Sequence, residues 1–549
     1  MAATVLAVVG MAMAACSSTP EGAGNGGSQT TLTIAAADGE TWPCSFNPFS
    51  PNTYFFALGM TNEELYYVDT LTGNMTPWLA TAYKWSDNNK ALTWTIRKGV
   101  KWSNGRPMTA ADVAFTFNLI KKNPAIDLNS IDSLLQSVTQ TGPYTVQMQF
   151  NAPAVTQFYY IADQVSIVPE SVWKSVSNPL TYKDAQPVGT GPYLVDTCTP
   201  QNISYVKNMH YWQPGLPKIA KVELPAFLSN TPANEELANG QAQWGGQYIP
   251  NIKAFYLDRN PDYRQWQPPV GVNGIYINTQ AGLLSNVAVR QAMAYGINRP
   301  KITQFAEGGE VPPANQAAVL LPEQQAWYNS SLASKYNYSY DPARAISILE
   351  KAGFKRGSNG IFQNSAGAQL AFTLICVGAY ADQVAGGQEV ARELSRIGIK
   401  LTQENLSSTT HDADLANGKF DLAYGGPPQL STDGPYGILR GLLYSPNSAP
   451  IGKPAASDYE RFRSPAENAL FDKLSTITQV AQQEQIVKEL QAPMLTDVPF
   501  LPLMDAVAQN EYDSGFATGW PTAANPYANP SPTTQPDEAV VLLHLVPKG

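Results

Sequence analysis

The chain has 549 residues, 44% of them apolar and only 14% charged, with 19 Phe, 27 Tyr and 11 Trp, which excludes intrinsic disorder and leaves room for two large lobes or several domains. No run of ~18 apolar residues occurs, so a polytopic helical membrane protein is excluded. The net charge of −9 argues against a general nucleic-acid binder, which needs a basic face to displace counterions.

The first feature along the chain is a short apolar run, 5–13, followed by Ala14-Ala15-Cys16 and a Gly/Ser-rich stretch to Ser28. The run is too short to span a bilayer, and small residues before Cys16 suit a signal peptidase. It resembles a bacterial lipoprotein signal, which implies a signal over 1–16, lipidation of Cys16 and a flexible tether over 17–30. No Lys or Arg precedes Cys16 and the first cation is Lys84, which points to a start upstream of Met1. The competing reading is a buried apolar N-terminal helix ending in a free thiol.

Residues 31–36 alternate and are β-branched, so they read as an opening strand; 91–96 read as another. A turn, a short strand and a second turn with Asn104-Gly105 at its tip follow over 98–105. Thr109 caps a helix with Asp112 in its first turn and Val113, Phe117 and Ile120 as its apolar stripe. Residues 144–150 and 203–206 alternate like half-buried strands. An exported chain meets an oxidising compartment, so of Cys44, Cys198 and Cys376 one pair forms and one thiol is left. Cys44 and Cys198 lie beside turn prolines, and Cys376 sits in a buried strand.

A second regime begins near 270, with a helix over 287–297 and another that starts at Asp341-Pro342. The stretches 371–377, 381–397 and 400–405 read as a right-handed β-α-β crossover. Residues 468–494 read as largely helical, and 500–503 and 539–546 as strands.

The three histidines are far apart in sequence, and neither zinc spacing, a Gly-x-Ser-x-Gly elbow, a P-loop nor a dinucleotide fingerprint occurs. Gly189-Thr190-Gly191-Pro192 reads as a turn between strands. Glu63-Glu64 and Glu235-Glu236 read as solvated faces in preference to a glycosidase dyad.

The stretch Trp94-Thr95-Ile96-Arg97-Lys98-Gly99-Val100-Lys101-Trp102-Ser103-Asn104-Gly105-Arg106-Pro107-Met108-Thr109-Ala110-Ala111-Asp112-Val113-Ala114-Phe115 resembles the signature of the family 5 extracellular solute-binding proteins. Pro77-Trp78-Leu79-Ala80, Val188-Gly189-Thr190-Gly191-Pro192-Tyr193, the run from Val289 to Arg299 and the run from Pro499 to Leu503 agree in order. The resemblance spans 31–546. It implies the receptor of an ABC importer, not an enzyme. The implied fold is a two-lobe α/β periplasmic-binding-protein-like fold of the large type, with an inserted subdomain and the ligand cleft between lobes. Lobe I covers 31–270 plus 505–549 and lobe II 271–504. The hinge would lie near 268–274 and 501–506.

Peptide receptors of the family pair the ligand α-amine with an Asp shortly before a proline. Alignment on Pro435 puts Leu430 or Ser431 there, with Asp433 as the substitute. The segments 42–50 and 518–527 resemble the oligosaccharide-binding branch. Sugar rings stack on aromatics and their hydroxyls bind amides, so the expected ligand contacts are Trp42, Phe46, Asn47, Trp244, Gln247, Tyr248, Trp266, Asn273, Tyr276, Gly425, Gly426, Asp433 and Trp520. An oligosaccharide is favoured over an oligopeptide, and a nickel chelate is disfavoured by the scarcity of histidine. No cofactor or metal is expected. The implied partners are a short oligomeric ligand, the ABC permease and ATPase subunits, and the membrane through a lipid anchor only, with the receptor a monomer on the outer face. A signalling or chaperone receptor on the same fold, and a secreted hydrolase, are the competing classes.

Overall fold

The opening β-branched stretch becomes strand Thr31–Ala35, with Leu32 and Ile34 buried, and organises a seven-stranded sheet. A computed structural model describes residues 30–36, 41–50, 53, 58–129, 131–427, 434–477 and 479–548. The sheet order is Tyr263–Gln265, Glu511–Asp513, Trp244–Gly245, Thr31–Ala35, Lys221–Pro225, Asn202–Lys207 and Tyr193–Thr199. Thr31–Ala35 runs parallel to both its neighbours, and the other pairings are antiparallel. Cys44 and Cys198 form a disulfide, and Cys376 is a buried free thiol.

Between those strands the chain builds a second unit, a four-stranded antiparallel sheet in the order Ala80–Ser86, Ala91–Ile96, Thr145–Phe150 and Leu135–Gly142. Helix Ala110–Lys122 belongs to the same core through Val113, Phe117 and Ile120, beside Trp94 and Trp102. Thr109 and Asp112 form a capping box: the Thr109 hydroxyl accepts from Ala111 N, and the Asp112 carboxylate accepts from Thr109 N at 2.9 Å. The long sequence signature is therefore largely a folding device. Gly189 is another such device. A Cβ there would lie 1.7 Å from the Thr61 carbonyl oxygen, so only glycine allows this backbone approach.

The second large sheet has five strands in the order Lys400–Leu406, Ala371–Val377, Leu422–Gly425, Pro269–Ile277 and Phe500–Val507. Its first three strands are parallel, with helix Ala381–Arg396 as the crossover, and Pro269–Ile277 is antiparallel to both neighbours. A separate apolar core lies beneath it, around Ile275, Met293, Leu374 and Leu501.

The chain passes between the two large sheets twice. Trp266 N donates to Asn510 O at 3.2 Å and Ala508 N to Pro268 O at 2.9 Å, so the passages run side by side. The expected hinge windows need correction, because Pro269–Ile277 and Phe500–Val507 are paired strands inside the second sheet. The crossing lies just outside them, at 266–268 and 508–510.

Two further expectations are corrected. The segment expected to be the last strand is helix Asp537–His544, followed by a two-residue strand, Val546–Pro547. Its apolar run is buried on every side, and such a run has no period that separates helix from strand. Glu63 and Glu64 are no solvated face: they are 3% and 2% exposed. Glu63 Oε1 accepts from Trp78 Nε1, Tyr211 Oη and Trp212 Nε1, and Glu64 Oε1 accepts from Gln535 Nε2 and Ser166 Oγ.

Candidate functional site

A cavity of about 410 Å³ opens where elements of the two large sheets meet. From the first sheet come Asn230, at the start of helix Asn230–Ala238, and Gly246, Gln247 and Tyr248, just after strand Trp244–Gly245, joined by Thr533. From the second come Asn273, Glu307, Val311, Asp505 and Val507, with Gln509 in the crossing segment. Tyr380, Asp382, Ser408 and Asp412 complete the wall. They follow the C-terminal ends of the parallel strands Ala371–Val377 and Lys400–Leu406, where helices Ala381–Arg396 and Ser408–Asn417 begin. Open α/β sheets bind ligands at that edge, because loops and helix N-termini converge there.

Side-chain amides fix the first wall. Asn230 Nδ2 and Asn234 Nδ2 both donate to Tyr248 O, at 3.3 and 3.1 Å, and Gln247 Nε2 donates to Asn234 Oδ1 at 2.9 Å. Asn273 sits at a register shift between the paired strands, where the ladder is broken and a side chain is re-aimed. Tyr248 reaches toward the opposite wall: a Cβ at Gly308 would lie 3.6 Å from its hydroxyl.

The cavity is acidic. Burial, with Asp382, Glu310 and Glu511 nearby, pushes the Glu307 carboxyl well above its ordinary range. Burial lifts Asp382 to about 6 and Asp505 to about 7, and Glu511 behind the wall to about 8. The Tyr248 phenol rises to about 12, from burial and then from Glu307, Glu310 and Asp382, so it stays a neutral hydroxyl. Buried His411 lies 3.0 Å through Nε2 from the Tyr424 carbonyl and 3.0 Å through Nδ1 from Asp412 Oδ1. A carbonyl only accepts, so Nε2 is the donor there. Among the described residues, no group of three or more His, Cys, Asp or Glu is placed to hold a metal ion. The arrangement suits reversible capture of a polar solute.

Of the residues singled out from sequence, Gln247, Tyr248 and Asn273 line the cavity together. Trp42 and Phe46 lie in the core of the first sheet, the Trp42 indole donating to Leu224 O at 2.7 Å. Asn47 donates to Pro179 O and Tyr182 O. Trp244 is 0% exposed and donates to Asn510 Oδ1 and Pro530 O, with the Trp520 ring 5.6 Å away. Trp520 donates to Ala517 O. Tyr276 is buried against Tyr459 and Phe500, and a Cβ at Gly425 would lie 3.1 Å from its ring. These side chains, like Trp266 and Gly426, are not part of the cavity lining. Asp433 and Cys16 fall outside the described residues. Sequence reasoning missed Glu307, Asp382, Asp412 and Asp505. They share no common sequence signal: Glu307 follows helix Arg299–Ala306, Asp382 and Asp412 lie inside helices Ala381–Arg396 and Ser408–Asn417, and Asp505 lies inside strand Phe500–Val507.

The model of the bacterial extracellular solute-binding proteins, family 5 Middle, matches residues 74–449. The glutathione-binding protein GsiB of Escherichia coli K12 is 29% identical over 374 residues, 64% of this chain and 70% of that one. The nickel-binding periplasmic protein of the same strain is 23% identical over 530 residues, 91% of this chain and 93% of that one. A mannohexaose-bound periplasmic oligopeptide-binding protein of Thermotoga maritima superposes with a TM-score of 0.88 at 27% identity, covering 95% of this chain and 99% of that one. The fold is thus a two-lobe, periplasmic-binding-protein-like α/β fold, and no described helix is long and apolar enough to cross a membrane. The chain belongs to the family 5 extracellular solute-binding proteins, the receptors of ABC importers, and is a binding protein, not an enzyme.

Proposed function

We propose that this receptor captures a short oligomer in the cavity between its large sheets, an oligosaccharide in preference to an oligopeptide, and delivers it to an ABC permease driven by ATPase subunits. The observation that carries the reading is the polar cavity itself, walled from both sheets by Gln247, Tyr248 and Asn273. Each wall holds part of the ligand contact, so the state that brings both walls to the solute is the one selected. The likeness to a mannohexaose-bound protein supports the sugar preference. The likeness to a glutathione-binding protein supports the peptide alternative. The lobes would be 31–270 plus 505–549 and 271–504, although both boundary strands, Pro269–Ile277 and Phe500–Val507, pair within the second sheet. Anchoring through a lipid on Cys16, a tether over 17–30 and a monomeric state belong to the same proposal. A thermal-shift screen against di- to pentasaccharides and di- to pentapeptides tests it. A ligand at ~100 times its dissociation constant adds ~2.7 kcal/mol to the folded state. A rise in melting temperature with sugars and none with peptides supports the preference. The reverse pattern overturns it.

A further inference from the structure

The end of the seven-stranded sheet that points away from the cavity is basic on one side. Strands Thr31–Ala35 and Lys221–Pro225 start at this end and Asn202–Lys207 finishes there. The cavity residues Asn230, Gln247 and Tyr248 follow the other ends of Lys221–Pro225 and Trp244–Gly245. Two turns build the basic side: 101–107, and the connection from Asn202–Lys207 to Lys221–Pro225. They meet, since a Cβ at Gly105 would lie 3.8 Å from His210 Nε2. The segments 97–107 and 207–218 hold Arg97, Lys98, Lys101, Arg106, Lys207 and Lys218 and not one Asp or Glu. Among the described residues none of these cations takes part in an ion pair. Lys207 Nζ donates to Lys218 O at 2.9 Å, and burial and then the Lys218 charge push its ammonium below its ordinary range. Glu223, on the neighbouring strand, is committed to Lys221 at 2.7 Å, and Asp262 and Asp513 lie at the opposite edge, beside Tyr263–Gln265.

Met209, in the second turn, is 87% exposed, with exposed His210 beside it and half-buried Trp212 behind. An apolar tip among unpaired cations suits a lipid surface, where the tip enters the headgroup layer and the cations meet phosphates. The path of the chain names the same occupant. Ala220 N and Lys221 N both donate to Thr30 O, at 3.1 and 3.2 Å, so the residues before Thr30 join the fold at this end. A tether over 17–30 reaches ~45 Å at full extension, enough to bring this end to the bilayer that would hold Cys16.

We propose that this basic end docks on an anionic phospholipid bilayer, with Met209 in the headgroup layer and Lys101, Arg106, Lys207 and Lys218 against lipid phosphates. The inference rests on the anchored-receptor reading above for where the tether leads, and goes beyond it in giving the protein itself a membrane face. The consequence is orientation. The resting receptor presents its cavity, at the far ends of the same strands, to the solution from which the solute comes.

Flotation of the full chain carrying Cys16→Ser, which takes no lipid, tests the docking. The vesicles are phosphatidylcholine alone, or phosphatidylcholine with phosphatidylglycerol as the anionic lipid. A chain of net charge −9 is repelled by an anionic surface unless a local basic face turns to it. No Lys or Arg precedes Lys84, so the apolar run 5–13 brings no cation that would favour the anionic vesicles. The expected result is ~10-fold or more binding to the anionic vesicles over the neutral ones, the difference shrinking as NaCl rises. Arg106→Glu with Lys218→Glu should remove the preference. Lys351→Glu with Lys355→Glu, the same change of charge at exposed positions of the second lobe, should leave it. Melting temperatures matching the parent identify the folded variants, and if the first pair fails to fold, the salt dependence of the parent is the readout. Equal binding to both vesicles, or an equal loss in the two double variants, overturns the docking. Binding to neither also overturns it and points the basic end at an acidic protein surface instead. The anchor is read separately, from the mass of the Cys16 peptide of the wild type recovered from membranes, so an unmodified Cys16 with the vesicle preference intact overturns the anchor alone.

Discussion

Replacing Glu64 by Gln should flatten the loss of stability at alkaline pH. Glu64 is 2% exposed and lies where three distant parts of the chain meet: its own segment, Ser166, and Gln535 from the C-terminal region. Burial, with the charge of Glu63 as a smaller cause, raises its carboxyl from 4.5 to about 8. The folded state therefore holds this proton where the unfolded chain has already released it. The associated stability is fully present below pH 4.5 and is lost as pH rises through about 8. Between pH 5 and pH 9 that loss is ~4 kcal/mol, at 1.36 kcal/mol per pKa unit. Glutamine keeps the acceptor oxygen for Gln535 and Ser166 but never ionises. Urea unfolding of both proteins at pH 5, 7 and 9 should show the variant gaining on the wild type by ~4 kcal/mol across the range. Parallel pH profiles for the two proteins would refute the assignment of a buried, protonated Glu64.

Three other outcomes are expected. Cys44→Ala with Cys198→Ala opens a loop with a sequence separation of 154 residues. Chain entropy then predicts a loss of up to ~5 kcal/mol, read by denaturant titration and reproduced in the wild type by reductant. Gly189→Ala forces a methyl onto the Thr61 carbonyl and should cost ~2 kcal/mol or more, seen as a lower melting temperature. Thr109→Ala removes half of a capping box and should cost ~1 kcal/mol, with the unfolding midpoint as readout.

Local signals served best where one period dominates. Helix Ala110–Lys122 was legible from its cap and stripe, and the unit 371–406 from an apolar strand, an amphipathic helix and a short following strand. The helix Asp537–His544 was not, because burial on every side erases the period. The cavity was legible only in part. Gln247, Tyr248 and Asn273 looked like ligand contacts from residue type. Trp42, Trp244 and Trp520 looked the same, yet large aromatics with a single N–H fill a core just as well. The carboxylates of the second wall escaped notice because an isolated Asp or Glu in sequence reads as solvated. The burial of Glu307 and Asp505 arises only when segments about 200 residues apart in sequence converge.

The paired passages at 266–268 and 508–510 restrict how the two halves move. A single linker permits swivel about its own axis. Two strands tied by backbone hydrogen bonds, and continuous with the pair Tyr263–Gln265 and Glu511–Asp513, act instead as a flat spring. Such a ribbon bends easily across its face and resists twist and in-plane shear, because shear breaks its hydrogen bonds. Opening is thereby reduced to one coordinate. Tyr248, whose hydroxyl would lie 3.6 Å from a Cβ at Gly308, marks where the two walls would meet along that coordinate.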